Sequence, residues 1–143
     1  MRDGAVKRWS AVHRSLYQMS GGWIGRRLAD NDMLLLTTTG HVSQRPHTVP
    51  LLYIRDGARL LVVASYGGRP RHPAWYDNLV ADPVVRVQLG AMRVEMVART
   101  AGPEERAGWW PRVVDAFADY AVYQSRTDRV IPLVFLEPTS EVS

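Results

Sequence analysis

Apolar positions recur at helical spacing over residues 5–19, where Val6, Trp9, Val12, His13, Leu16 and Tyr17 share one face. Lys7, Arg8 and Arg14 lie elsewhere on the wheel, so this segment reads as a basic amphipathic helix stopped by Ser20-Gly21-Gly22. A short second helix is expected over Ile24–Leu28. The pattern then changes period. Met33–Thr38 is an apolar run with threonines, suited to a buried strand, and Thr48–Arg55 and Arg59–Ser65 follow as two more. Asp56-Gly57 joins these as a tight turn, since glycine accepts the positive φ a hairpin requires. Pro83–Leu89 and Met92–Thr100 form another hairpin, with Val85, Val87 and Leu89 alternating against Arg86 and Gln88 as a buried and a wet face.

Helices punctuate these strands. Pro73–Ala81 is expected as a helix with proline at its first turn, ended by Asp82-Pro83. Gly102-Pro103-Glu104-Glu105 opens another, with acidic residues where the helix dipole favours them, running to about Ala118 with a break near Pro111. Ile131–Leu136 is a last strand, and the tail beyond Pro138 is expected to fray. Several short strands with helices at the rim, without alternating βαβ units, predict an α+β fold: a split antiparallel β-barrel with an N-terminal capping helix. One domain spans 1–143, with a helical cap over 1–29, the barrel core over 30–138 and a tail over 139–143.

The 143 residues suit one domain, and 46% hydrophobic with 22% charged residues is ordinary for a globular chain. There are no cysteines, which excludes disulfides, thiolate metal sites and a cysteine nucleophile. No apolar run reaches the roughly 20 residues that span a bilayer, and the N-terminus lacks the apolar core of a signal peptide. The expected location is therefore cytoplasmic, with a peripheral membrane contact through the basic N-terminal helix left open. Net charge is +4, and every basic residue except Lys7 is arginine, whose planar fork suits phosphate and carboxylate. No aromatic-and-basic stripe of an RNA platform is present, so nucleic acid is not the expected partner.

Three segments could carry chemistry. Thr37–Pro50 ends a threonine-rich strand at Gly40 and then offers Ser43, Arg45 and His47 as donors to an anion; an ordinary polar turn has the same composition. Ala64-Ser65-Tyr66-Gly67-Gly68 ends an apolar strand in a hydroxyl and two glycines, which permit close approach of a flat ligand. Arg69, Arg71 and His72 follow, and Trp75 and Asn78 share a helical face that could wall a planar heterocycle or belong to the core. In Asp119–Arg129, Tyr120 and Tyr123 share a face and could donate protons to a substrate being reduced, or anchor packing. His41 and His47 flank one loop without an acidic partner, so no metal site is expected.

Taken in order, LLLTTTG, the segment from Ser43 through TVPLLYIRDG, LLVVAS-x-GG, HPAWYDNLVADP and QSRTDRVIPL resemble the deazaflavin-dependent nitroreductase family of actinobacteria. These are split-barrel oxidoreductases related to flavin-binding, pyridoxamine-phosphate-oxidase-like enzymes. The similarity runs from about Tyr17 to Pro138. It implies coenzyme F-420, an 8-hydroxy-5-deazaflavin with a phosphodiester and an oligoglutamate tail, in preference to FMN. On that resemblance His41, Val42, Ser43 and His47 would hold the phosphate and tail. Thr48, Val49, Pro50, Leu51 and Leu52 would lie along the cofactor. Val63, Ala64, Ser65 and Tyr66 would line the ring, while Ala74, Trp75, Tyr76, Asp77 and Asn78 would close over it. Tyr123 would reach it from the late helix, and Ser65, Tyr120 and Tyr123 are the candidate catalytic residues.

One departure stands out. The family commonly reads TTTG-Arg-Lys-Ser-Gly and then Pro-Arg, where this chain has His41-Val42-Ser43-Gln44 and then Pro46-His47. A charge-assisted hydrogen bond contributes about 1.5–3 kcal/mol, so two lost cations weaken a phosphate grip substantially. Arg45, Arg69 and Arg71 are the available replacements. The implied activity is hydride transfer from reduced F-420 to an electron-poor small molecule such as a quinone, nitroaromatic or unsaturated lactone. The altered loop keeps a non-catalytic F-420 or flavin carrier as the alternative. Pairing of two copies through their sheets is left open.

Overall fold

The computed structural model describes residues 33–139 of the chain. The two helices expected over residues 5–19 and 24–28, the cap they would form, and the tail after residue 139 lie outside that range. Seven strands and three helices are described: β1 (Met33–Thr39), β2 (Pro46–Leu52), β3 (Ile54–Asp56), β4 (Arg59–Val63), α1 (Ala74–Ala81), β5 (Val84–Leu89), β6 (Met92–Thr100), α2 (Pro103–Ala116), α3 (Asp119–Ser125) and β7 (Leu133–Pro138). None of these helices is long and apolar enough to cross a membrane.

The strands form one antiparallel sheet in the order β2-β1-β5-β6-β7-β4-β3. β2 and β3 occupy opposite ends of that order, yet only Tyr53 separates them in sequence. The sheet must therefore curl until its two ends approach, and the expected single strand over 48–55 is instead two strands hinged at Tyr53. β2 contains Pro46 and Pro50, which lack the N–H a central strand needs, so an edge is where such a strand belongs. The result is a curled half-barrel of the α+β class.

Side-chain alternation divides the core in two. Leu34 and Leu36 of β1, Leu60 and Val62 of β4, Val85, Val87 and Leu89 of β5, and Val134 and Leu136 of β7 fill the concave side, with Trp75 and Leu79 of α1. The opposite parity of β4 and β7 (Leu61, Val63, Leu133, Phe135) packs under α2 and α3 against Val113 and Tyr120. β4 and β7 are thus buried on both faces, which is why LLVV and LVFL read as unbroken apolar runs. Arg59 and Arg99 close over the Phe135 ring, their guanidinium carbons 3.9 and 5.2 Å from its centroid, and pair with Glu105 and Glu137.

Three further expectations change. α2 continues through Pro111, because Pro111 and Ala107, whose carbonyl loses its donor, are both exposed and water can replace the bond. Gln88 is not on a wet face: it is buried between Leu35 and Arg93, and its Nε2 donates to the Gly90 carbonyl at 2.9 Å. The last strand starts at Leu133, since the Ile131 N–H donates to Gln124 Oε1 at 3.0 Å and Arg106 Nε donates to the Ile131 carbonyl at 2.8 Å. These bonds draw residues 129–131 toward α3.

Candidate functional site

The edge position of β2 leaves one side of it without a strand partner, and a cleft of about 870 Å³ opens there. That is ample for a cofactor-sized ligand. One wall is β2 itself, through Val49, Pro50, Leu51 and Leu52. A second is the turn after β4, with Val63, Ser65, Tyr66, Gly67 and Arg69. Pro73, Ala74 and Trp75 contribute from the start of α1, and Phe117, Ala118, Asp119, Tyr120 and Tyr123 from the α2–α3 corner. Met33 completes it. The walls are apolar and partly aromatic, with a few polar groups at separate points, the constitution of a pocket for a flat heterocycle.

The turn after β4 has unusual backbone geometry. Tyr66, Gly67 and Gly68 all have positive φ, at 49°, 64° and 78°. Two overlapping hydrogen bonds, Gly68 N–H to Ser65 carbonyl (3.0 Å) and Arg69 N–H to Tyr66 carbonyl (3.2 Å), close it as a single left-handed turn. Glycine enters this region freely, whereas tyrosine does so at a cost of about 1–2 kcal/mol. Gly68 is required for a second reason: a Cβ there would collide with the Tyr123 carbonyl oxygen and lie 3.0 Å from Arg126 Cβ. α3 is thus seated directly on the turn. Arg69 lies over the Tyr66 ring at 4.6 Å and its Nη1 donates to the Tyr66 hydroxyl at 3.0 Å.

From behind, Arg129 grips the same turn through Ala64, Ser65, Arg69 and His72. His72 Nδ1, 3.0 Å from Arg129 Nη1, must accept because a guanidinium only donates, which places the imidazole proton on Nε2. Burial, reinforced by the Arg129 charge and opposed by Asp77, pushes the His72 pKa below its ordinary value.

Among the described residues no protein group bonds the hydroxyls of Ser65 and Tyr123, although both line the cleft and Ser65 is almost fully buried. Tyr123 is packed edge-on against Tyr120, centroids 6.0 Å apart, and Tyr120 in turn against Phe117. Arg126 lies 5.5 Å over the Tyr123 ring. Tyr120 is buried in the apolar layer between α3 and the sheet, so its ring holds Tyr123 at the cleft.

The loop between β1 and β2 is separate from this cleft. Asn78 Oδ1 accepts the His41 backbone N–H (3.1 Å) and His41 Nδ1 (2.8 Å), and Asn78 Nδ2 donates to Thr38 Oγ1 (3.1 Å). Ser43 Oγ bonds His47 Nε2 at 3.0 Å and accepts the Arg45 N–H at 3.2 Å. This bonded pair folds back over Gly40, where a Cβ would lie 2.7 Å from His47 Nε2. Gln44 sits at φ 59°, at the position where the family pattern has glycine. Thr48 is tied to Thr37 by a 2.7 Å hydroxyl contact.

Of the residues singled out in the sequence, the cleft gathers Val49, Pro50, Leu51, Leu52, Val63 and Ser65 from the strands and the turn. Tyr66, Gly67, Arg69, Ala74, Trp75, Tyr120 and Tyr123 complete that set. It does not include His41, Val42, Ser43, His47 or Thr48, nor Ala64, which points into the barrel core. Tyr76 turns toward β6, where its hydroxyl bonds Thr100 Oγ1 at 2.9 Å; Asp77 is exposed, and Asn78 anchors the 41–47 loop. Met33, Pro73, Phe117, Ala118 and Asp119 were not foreseen. Nor was Arg129, although it lies within the QSRTDR segment that the resemblance had marked.

A family model described as F-420H(2)-dependent quinone reductase matches residues 9–138. An F-420H(2)-dependent quinone reductase of Mycobacterium tuberculosis is 42% identical over 129 residues, covering 87% of each chain. Among solved structures, the F-420-H2 dependent reductase FDR-A superposes with a TM-score of 0.68 at 42% identity, over 74% of this chain and 94% of its own. A domain-swapped dimer superposes equally well, at 0.68 and 36% identity, over 84% of this chain and 98% of its own.

Proposed function

The chain belongs to the F-420H(2)-dependent quinone reductase family, and on that premise we propose that its cleft binds the deazaflavin ring of coenzyme F-420 beside a quinone-type acceptor. When bound, the reduced cofactor supplies a hydride, and the protein supplies orientation and a proton. The observation that carries this reading is the meeting, in one apolar cleft, of two hydroxyls without a hydrogen-bond partner among the described residues, Ser65 and Tyr123, from segments far apart in sequence.

The donor set fits a flat, polar-edged ring. Val49 through Leu52 and Trp75 offer apolar walls, and Ser65 offers a hydroxyl to a ring carbonyl or N–H. Reduction of a quinone needs one hydride and one proton. Tyr123 holds a proton at its phenol oxygen on the cleft wall and donates it as negative charge grows on the acceptor oxygen. Tyr120 supports that ring, and the apolar walls exclude water from the reacting faces.

The anionic part of the cofactor meets a different surface from the one the family pattern supplies. His41 and Ser43 are already committed to Asn78 and His47, so Arg45, Arg69 and Arg71 are the nearby cations, among the described residues, left to meet phosphate or carboxylate. This favours a second reading, an F-420 carrier that turns over slowly or not at all. Cytoplasmic placement and pairing of two copies belong to the proposal as well; a solved relative at 36% identity is a domain-swapped dimer.

A fluorescence titration with oxidised F-420, with FMN as control, tests the binding. Menadione reduction by wild type, Ser65→Ala and Tyr123→Phe tests the chemistry. Tyr123→Phe is expected to lower kcat by about 100-fold while leaving cofactor affinity near wild type. A dissociation constant far above micromolar would remove the reading, and unchanged turnover in Tyr123→Phe would remove that residue's role. Single-turnover reduction of menadione distinguishes an enzyme from a carrier.

A further inference from the structure

We propose that Arg129 is the positioning residue of this cleft, holding the Ser65–Arg69 turn in its ligand-ready conformation from outside the pocket. The proposal rests on the F-420 reading for the identity of the ligand and on geometry alone for the role of the arginine.

Arg129 does not line the cleft; it acts entirely through other groups. Its Nε donates to the Arg69 carbonyl at 2.9 Å, Nη1 to the Ala64 carbonyl at 3.2 Å, and Nη2 to the Ser65 carbonyl at 2.5 Å. Nη1 also donates to His72 Nδ1 at 3.0 Å. All three nitrogens of the fork are therefore engaged, on four acceptors that bracket one turn. The reason these acceptors converge is the turn's own handedness. Positive φ at Tyr66, Gly67 and Gly68 bends the chain back on itself and brings the carbonyls before and after it to one point. Converging carbonyls concentrate negative potential, and a planar cation with fixed donor directions neutralises it in a way a lysine's compact ammonium does not.

Tyr66 makes the arrangement dependent on outside support. A bulky residue in the left-handed region persists only where its surroundings over-determine it, and such residues cluster at ligand sites. The two internal bonds of the turn are backbone bonds, at 3.0 and 3.2 Å, and are open to competition from water once the carbonyls lose their partner. The support is itself rigid. Gln124 Nε2 donates to the Arg129 carbonyl at 2.8 Å, and Gln124 Oε1 accepts Arg106 Nη2 and the Ile131 N–H, both at 3.0 Å. The chain that carries Arg129 is thereby fixed to α3, the element that also presents Tyr123. One guanidinium sets the distance between the Ser65 side of the cleft and the Tyr123 side.

The test is Arg129→Lys in the full chain, read by amide hydrogen exchange, F-420 titration and menadione kinetics. The expected result is exchange at the Gly68 and Arg69 amides about tenfold faster and a dissociation constant for F-420 about tenfold higher. The KM for menadione stays near wild type, because the perturbation falls on the cofactor wall. A merely structural arginine would lower the melting temperature and leave both the exchange at those two amides and the cofactor constant, measured well below melting, at wild-type values; that result overturns the proposal. If Arg129→Lys does not fold, His72→Leu leaves the guanidinium and removes one acceptor. It should shift the same two readouts in the same direction by about threefold, and no shift in either overturns the proposal. A wild-type protein that binds no F-420 overturns the ligand reading alone; the exchange rates then support or overturn the positioning role by themselves.

Discussion

Replacing Gly68 with alanine, with Gly67→Ala as its partner, measures how firmly α3 is seated on the cleft turn. Both glycines have positive φ, so each alanine takes on left-handed strain of about 1–2 kcal/mol. Loss of glycine's freedom in the unfolded chain returns about 0.4–1 kcal/mol in each case. The two differ in their surroundings. A Cβ at Gly67 meets nothing within 4 Å, whereas one at Gly68 runs into the Tyr123 carbonyl oxygen and approaches Arg126 Cβ to 3.0 Å. Backbone cannot rotate aside as a side chain can, so the overlap is relieved only by moving α3 or the turn, at about 1–3 kcal/mol. The expected loss is therefore about 1 kcal/mol for Gly67→Ala and about 2–4 kcal/mol for Gly68→Ala in urea unfolding. F-420 titration should follow the same order, since only Gly68→Ala displaces Tyr123 from Ser65. Equal losses for the two variants would show that α3 yields freely, and the argument that this contact fixes the cleft width would be refuted.

Two further outcomes follow from single groups. His72 accepts from Arg129 only while neutral, and its pKa lies below the ordinary 6.5, chiefly through burial and then through the Arg129 charge. A lowered histidine pKa contributes stability that is complete above pH 6.5 and is lost as pH falls through the lowered value. F-420 affinity and protection of the Gly68 amide should decline together as pH falls through that lowered value, and His72→Gln, which keeps an acceptor, should flatten the profile; a wild-type profile unchanged across the whole acid range in which the protein stays folded would refute the link. Gln44 holds φ 59° where glycine would be unstrained, against a weak 3.3 Å bond from its Nε2 to the His41 carbonyl. Gln44→Gly should raise stability by up to about 1 kcal/mol in urea unfolding, and a clear loss would show that the bond outweighs the strain.

What the sequence made legible was mostly period and punctuation. Val85, Val87 and Leu89 announced the concave face of β5 by alternation, and Gly57 and Gly90 marked hairpin turns that do have positive φ. Trp75 and Asn78 were correctly placed on one helical face, but alternation and spacing say which residues share a side and nothing of what lies opposite. Trp75 meets the cleft, while Asn78, one turn later, meets the loop after β1. Gln88 fell on the polar side of its strand and is buried nonetheless, because that side of the sheet is covered at Leu35 as well. Arg129 carries no such signal. Its four acceptors lie 57 to 65 positions away in the chain, and no local pattern signals a contact made to backbone carbonyls. The departure at residues 41–47 is plain in the sequence, yet only the geometry shows that its two histidines are engaged, His41 by Asn78 and His47 by Ser43.

The strand order bears on how the chain reaches this state. β7 is the final described strand in sequence, yet it lies between β6 and β4, pairing Leu60 with Leu136 and Met96 with Pro138. During synthesis the β3–β4 hairpin has no sheet to join until residues 133–138 have emerged, and Leu60–Val63 must wait with both faces uncovered. Pairings of such long sequence separation are slow, and exposed apolar strands invite association with other chains. The turn that follows β4 and the arginine that precedes β7 are brought together by that same late event. The cleft is thus complete only once β7 has paired, so a ligand seated there restrains the chain from opening but has nothing to hold before that pairing forms.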